Sequence, residues 1–401
     1  MATLKPELNA IPRPVRAAFP AGRPAARQLL ASCSALILIL SIPFLAGTQS
    51  KPRTVRWSEQ SANEWYASQP WLVGSNYIPA TAINQLEMWQ ADTFDPKRID
   101  LELGWAETIG LNAMRVFLHD LLWQQDPRGF KKRIDTFLAI ADKHHIKILF
   151  VLFDSCWDPN PELGKQREPR AGVHNSGWVQ SPGAKALQDP AQYPRLEAYA
   201  KGVVEAFAED KRILGWDVWN EPSNTNSGSY EKKEPKNKVD LVLALLPKVF
   251  EWVRAAQPTQ PLTSGLWEGD WSSADKLDRM EKIQIELSDV ISFHNYATPN
   301  RFENRIVWLK QYHRPILCTE YMARGAGSTF QGSLPIAKQH RVAAINWGLV
   351  AGKTQTYYPW DSWKHPYIDR QPEVWHHDIL RANGQPYSQK EVDFIHEITR
   401  H

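Results

Sequence analysis

Short apolar runs alternate with longer amphipathic stretches along most of this chain. The runs are "WLVGSNY" (71–77), "NAMRVFL" (112–118), "IKILFVLFD" (146–154), "ILGWDVWN" (213–220), "PLTSGLW" (261–267), "DVISFHNY" (289–296), "PILCTEY" (315–321) and "TQTYYPW" (354–360). Most are near-continuous rather than alternating, as strands of a parallel sheet covered on both faces must be. Between them apolar residues recur at helical spacing, as in "FKKRIDTFLAIADKHH", "KVDLVLALLPKVFEWVRAA" and "LPIAKQHRVAAINWGLVAG", with a last helix near 387–399. Eight strands alternating with eight helices predict an α/β chain folded as a (β/α)8 TIM barrel, a single domain over 67–401. A doubly wound open sheet is the fallback, although no Gly-rich phosphate loop follows the first strand.

The first 66 residues break the alternation. Residues 29–47, "LLASCSALILILSIPFLAG", carry no charge and follow a block of five cations and one acid. That order is the pattern of an export signal, closing on the small residues Ala46 and Gly47. The run is also long enough for an uncleaved membrane anchor. We therefore expect an export signal or anchor at 1–47, a polar linker at 48–66, and a periplasmic or extracellular protein whose membrane contact is that anchor alone. The formal charge of +3 resides in this leader, and the remaining chain is close to neutral. Without a basic face nucleic acid is not expected as a partner, and a monomer is. Of the three cysteines, Cys33 lies in the leader. Cys156 and Cys318 sit in separate apolar contexts, too few for a disulfide framework. No Cys/His spacing matches a metal site, so neither metal nor cofactor is expected.

A barrel dictates where chemistry belongs: at the C-terminal ends of its strands. Asn76, His119, Asp154, Asn220, Glu221, His294, Tyr296, Glu320 and Trp360 all gather there. The connection from Asp154 to about Tyr193 is the longest, and loops of that length are usually functional or disordered. Trp157 and Trp178 within it favour the functional option.

The stretch "GWDVWNEPSN" (215–224) ends an apolar run on a carboxylate. Desolvation by that run raises the pKa of Glu221, which keeps its proton near neutral pH as a general acid. Pro222 cannot continue a central ladder, and Asn220 can donate to a bound hydroxyl. A Glu that merely faces water at a strand end is the plain alternative. "PILCTEY" also ends on a carboxylate, Glu320, and barrel order sets it across the mouth from Glu221. Paired carboxylates flanking a bond are what glycoside hydrolysis requires. For attack Glu320 must be ionised, and Arg115 on the inside of strand two is the cation placed to hold it so. The competing role for Arg115 is a structural salt bridge with Asp217.

Together "WDVWNEP", "CTEY" and "NAMRVF" resemble the retaining β-glycosidases of glycoside hydrolase clan A, most closely the cellulase-like family 5, over about residues 70–400. The resemblance implies Glu221 as acid/base and Glu320 as nucleophile. It implies that Asn220 contacts the sugar 2-hydroxyl and that Arg115 supports the nucleophile. "HNY" supplies His294 and Tyr296, the latter orienting the nucleophile, and Trp360, ending strand eight, stacks under the sugar in subsite −1. The family often carries a His just after strand three. Here Asp154 stands there; either His119 at the end of strand two does part of that work or the subsite −1 sugar differs.

Eighteen tryptophans, all after residue 56, suit a carbohydrate ligand, because sugar rings stack on flat aromatic surfaces. Trp105, Trp252 and Trp308 sit at helical positions as packing residues. Trp157, Trp178, Trp267, Trp271, Trp360 and Trp363 fall at strand ends or in loops as candidate subsites, and Asn76 is a further supporting residue. The leading expectation is a retaining β-glycoside hydrolase of β-linked oligo- or polysaccharide, working by double displacement through a glycosyl-enzyme intermediate. A transglycosylase shares these residues. A non-catalytic carbohydrate-binding barrel would normally lack one carboxylate, and a metal-dependent barrel hydrolase would need the His-x-His that strand one does not carry.

Overall fold

The computed structural model describes residues 55–400. The expected export segment at 1–47 lies outside the described residues. Eight parallel strands follow one another: β1 (Val73–Asn76), β2 (Ala113–Phe117), β3 (Lys147–Asp154), β4 (Ile213–Asn220), β5 (Leu262–Thr263), β6 (Ile291–Asn295), β7 (Ile316–Tyr321) and β8 (Ala343–Trp347). They pair in the order β5-β4-β3-β2-β1-β8-β7-β6. Leu266 then joins the two ends, donating from N to Ser292 O at 3.0 Å and accepting from His294 N at 2.7 Å. A helix follows each strand in sequence: Pro96–Thr108, Pro127–Lys143, Tyr193–Ala206, Lys238–Ala255, Arg279–Leu287, Pro299–Leu309, Phe330–His340 and Gln389–Thr399. This is the expected (β/α)8 barrel in one domain. Among the described residues no helix is long and apolar enough to cross a membrane.

The strand period of two sorts the core into two sets. Ala113, Leu149, Leu214, Leu317 and Ile345 form one buried cluster inside the barrel. Ile148, Phe150 and Trp216 belong to the larger cluster that includes the helix residues. Trp57, Ala62 and Tyr66 join the inner cluster from a helix, Glu59–Ala67, that Ser58 caps. The Trp57 N–H donates to Asp289 Oδ1 at 2.7 Å. Residues 55–66 are therefore part of the barrel domain instead of the expected linker, because three apolar side chains spaced through a polar stretch suffice to dock a short helix.

The eighth strand differs from expectation. β8 is "AAINW", read from sequence as part of a helix that in fact stops at His340, where Arg341 takes a left-handed conformation (φ 52°). The run 354–360 is irregular chain in the loop after β8, with Thr354, Thr356 and Tyr358 buried. Trp347, not Trp360, ends strand eight. Trp360 opens a short 3-10 turn, Trp360–Trp363, further along the same loop.

Candidate active site

Glu221 is the first residue past β4 and is held at φ 42°. Trp157 after β3 and Met322 after β7 are also left-handed, at 70° and 74°. Each such non-glycine residue costs about 1–3 kcal/mol, and strain of this kind collects at functional sites. The turn at Glu221 and the ring of Pro222 together stop β4 with the carboxylate at the barrel mouth.

Glu221 and Glu320 meet over the centre of the barrel. Arg115 reaches across from β2 and donates from Nη1 to Glu320 Oε1 at 2.8 Å and to Asn76 Oδ1 at 2.9 Å. Its Nη2 donates to Asp217 Oδ2 and to Asn220 Oδ1, both at 2.7 Å. Both roles foreseen for Arg115 thus coexist: it is salt-bridged to Asp217 and to Glu320 at once, fully buried. Tyr296 donates its hydroxyl to Glu320 Oε2 at 2.6 Å. His294 Nδ1 lies 2.8 Å from Glu221 Oε1 and 3.5 Å from Glu320 Oε2. Glu221 Oε2 accepts from Asn224 Nδ2 at 2.7 Å and from the Cys156 thiol at 3.2 Å.

Burial is the largest influence on the titration of Glu221, Glu320 and His294. It pushes the Glu221 carboxyl above the usual range, against the hydrogen bonds from Asn224 and Cys156. It raises Glu320 as well, opposed by the Arg115 guanidinium and the Tyr296 hydroxyl. The desolvation of Glu320 therefore outweighs the pull of Arg115 on which the sequence reading relied. Burial lowers His294 to about 4, leaving a neutral imidazole between the carboxyls. Two coupled carboxyls share their proton unevenly. Glu320, with a guanidinium and a phenol on its two oxygens, is the carboxyl whose ionised form is better supported by its partners. Ligating atoms of Glu221, His294 and Glu320 lie within 4.8 Å of one another, close enough for a cation. The guanidinium 2.8 Å from Glu320 would repel one, so a proton suits this trio better.

Above the carboxyls a cavity of about 620 Å³ opens, lined among others by Asn220, Trp157, Trp267, Trp347 and Trp360. A second, of about 340 Å³, shares Glu221, Trp267 and Tyr296 with it and runs past His294 toward Arg305. Other expected residues serve from behind. Asn76 donates to Thr319 O at 2.7 Å and backs Arg115. Asp154 accepts from Asn220 Nδ2 at 2.9 Å and from Trp178 Nε1 at 2.7 Å, fixing both.

Three expectations are corrected. His119 does not reach the carboxyls: it is buried, with Nδ1 accepting from the Leu121 N–H at the start of the next helix. The side chain after β3 that does reach them is Cys156. Trp178 is no platform but a buried packing residue, edge-on to Phe117 at 5.1 Å and Trp347 at 5.6 Å. Trp271 is likewise fully buried. The sequence reading missed Asn224, Trp347, His174 and His377, which line the main cavity. Asn224 had a usable signal, three residues past Glu221 in "NEPSN"; the others had none local to them.

The sequence matches the family model of cellulase, glycosyl hydrolase family 5, over residues 112–365. A search of curated protein sequences finds no match. Solved structures of similar fold include GH5_18 from Streptomyces cattleya in complex with GlcNAc, 12% identical with a TM-score of 0.54 over 83% of this chain and 80% of that one. The endo-β-1,4-mannanase from Thermotoga petrophila is 14% identical, with a TM-score of 0.52 over 84% and 77%. The exo-β-1,4-mannosidase Op5Man5 from Opitutaceae bacterium strain TAV5 is 19% identical, with a TM-score of 0.51 over 82% and 59%. Identities this low speak to the fold alone. The family match itself runs from the start of β2 into the loop after β8, and on that ground the chain belongs to glycosyl hydrolase family 5 and is a glycoside hydrolase.

Proposed function

We propose that the protein hydrolyses β-linked oligo- or polysaccharide with retention of configuration, Glu320 acting as nucleophile and Glu221 as acid/base. The observation that carries this reading is the approach of the two carboxyls, with ligating oxygens inside 4.8 Å. Retaining enzymes keep the groups about 5–5.5 Å apart, whereas inverting ones leave room for a water between them. In the first step a Glu320 oxygen bonds to the anomeric carbon, the glycosidic C–O bond breaks, and the Glu221 proton passes to the departing oxygen. In the second, Glu221 takes a proton from water, the water oxygen bonds to the anomeric carbon, and the ester to Glu320 breaks. Asn220, clamped between Arg115 and Asp154, would meet the 2-hydroxyl, and Trp347 in the cavity wall would stack against the ring.

A panel of aryl β-glycosides tests this, starting with β-mannosides because two of the similar folds carry that activity in their names. The first-formed product should be the β-anomer by NMR; an α-anomer would sink the retaining mechanism. Glu320→Gln should abolish turnover. Glu221→Gln should lower kcat about 10²–10⁴-fold on substrates whose leaving group needs a proton, and much less in the first step with a dinitrophenyl leaving group. The uncharged run at 29–47 supports export or anchoring as the route to such a substrate, which fractionation of expressing cells would check.

A further inference from the structure

The main cavity has a back wall. The loop after β3 and the loop after β8 are bonded to each other across the tops of β1 and β2. Asn175 N donates to Thr354 O at 2.8 Å, Tyr367 N to Gly172 O at 2.9 Å, and Trp363 Nε1 to His174 O at 2.9 Å. Trp157 and Trp363 stack, centroids 5.5 Å apart and 12° between planes. The loop after β4 joins them through Tyr230, whose hydroxyl donates to Ser176 O at 2.6 Å and whose ring meets Trp363 at 5.1 Å. Beneath this seam Phe117, Trp178 and Val151 form a buried plug behind Trp347. The side of the mouth above β1 to β3 is thus closed, while the second cavity leaves the β5 to β6 side open.

Two imidazoles line the closed end. His174 Nδ1 contacts Tyr358 O at 2.8 Å, and His377 Nδ1 contacts Met322 O at 2.6 Å. A carbonyl only accepts, so each Nδ1 carries the hydrogen and each Nε2 is an acceptor.

We propose that the closed end is a blind pocket for the non-reducing end of the substrate, so the enzyme trims sugars from chain ends and does not cut within chains. The inference rests on the glycosidase reading above. Its direction follows from the order of steps. The leaving group must depart before water attacks the glycosyl-enzyme. A leaving group lodged in the blind end would be trapped behind the covalently held sugar, so the glycone lies there and the leaving group on the open side. The acceptors fit the same end. A terminal sugar has a free hydroxyl where an internal one has a glycosidic oxygen, and only the hydroxyl can donate to Nε2. Burial holds both imidazoles neutral, His174 at about 4, so they remain acceptors at neutral pH.

The test uses the wild-type full-length protein and the β-linked hexasaccharide of whichever sugar its aryl glycoside assay selects. One sample is intact, and the other is O-methylated at the non-reducing linkage hydroxyl. The expected result is release of a single short product of fixed length from the intact chain, with the capped chain cut at least about 10²-fold more slowly. Early products of mixed intermediate length, or equal cleavage of the capped chain, would overturn the blind pocket and leave the glycosidase reading standing. Inactivity on every aryl glycoside would instead overturn the glycosidase reading itself.

Discussion

Arg115 sits at the crossing of four side chains, and the worth of each contact depends on its charge being matched. Arg115→Met removes the cation and leaves Asp217 and Glu320 buried without it, a change that typically costs about 3–5 kcal/mol. Chemical denaturation should show that loss together with the loss of turnover. Glu221 carries a different burden, its backbone. Because φ is 42° there, Glu221→Gly should be more stable than Glu221→Ala by about 1 kcal/mol. Melting curves of the two variants decide it; equal stability would mean the turn relaxes at no cost. In the proposed mechanism the protonation of Glu221 sets the alkaline side of the activity profile. Its pKa is raised by burial, and activity falls as pH climbs through that value and the proton needed by the leaving group is lost. Asn224 and Cys156 donate to its ionised form. Removing either donor, as in Asn224→Ala or Cys156→Ala, should raise the pKa further and move the alkaline limb of kcat/KM to higher pH, whereas a purely structural role would leave the limb in place.

Among the elements, the loop after β3 is held by its buried tryptophan. Trp178→Ala should cost about 3–5 kcal/mol in urea unfolding, as large-to-small changes of a buried indole do. A cost under 1 kcal/mol would show that the plug is not packed as described. The strands that lead to the two carboxylates were legible because they are near-continuous apolar runs; β4 and β7 match the runs read from sequence almost residue for residue. β8 was not legible. It opens on two alanines, which suit a helix as well as a strand, no glycine marks the preceding helix end, and the amphipathic pattern runs on through Arg341 without a break. The decoy at 354–360 looked like a strand because threonine and aromatic residues favour strands, but its partners are in other loops, as where Asn175 N donates to Thr354 O. Hence Trp347 was missed while Trp360 was given its place. β5 shrank to two paired residues for a related reason: Ser264 and its successors turn away toward the mouth, and only Leu266 returns to the ladder. Contacts between distant loops leave no local signature, which is why His174 and His377 could not be found from spacing alone.

At the scale of the molecule, several buried imidazoles bind fewer protons folded than unfolded. Burial lowers His376 to about 3, and its neighbours His174 and His377 are depressed too. For such a group the stabilisation is complete above the ordinary value near 6.5 and is lost as pH falls toward the folded value, at up to about 1.4 kcal/mol per pH unit. His376→Gln should therefore lose less stability than wild type between pH 6.5 and 4, read as the difference between two series of unfolding midpoints. Parallel series would place the acid sensitivity elsewhere. The seam between the two large loops has a consequence of another kind. It joins Gly172 to Gln355 and His174 to Ser362, partners 183 and 188 positions apart. Glu221 follows the end of β4 and Glu320 lies near the end of β7, both outside the seam, so in the proposed enzyme reactivity and reach are encoded in different stretches of chain. A lineage can lengthen or shorten what it digests by altering the seam while the chemistry stays intact. It must then change both loops together, because a deletion in one strands the hydrogen-bonding groups of the other.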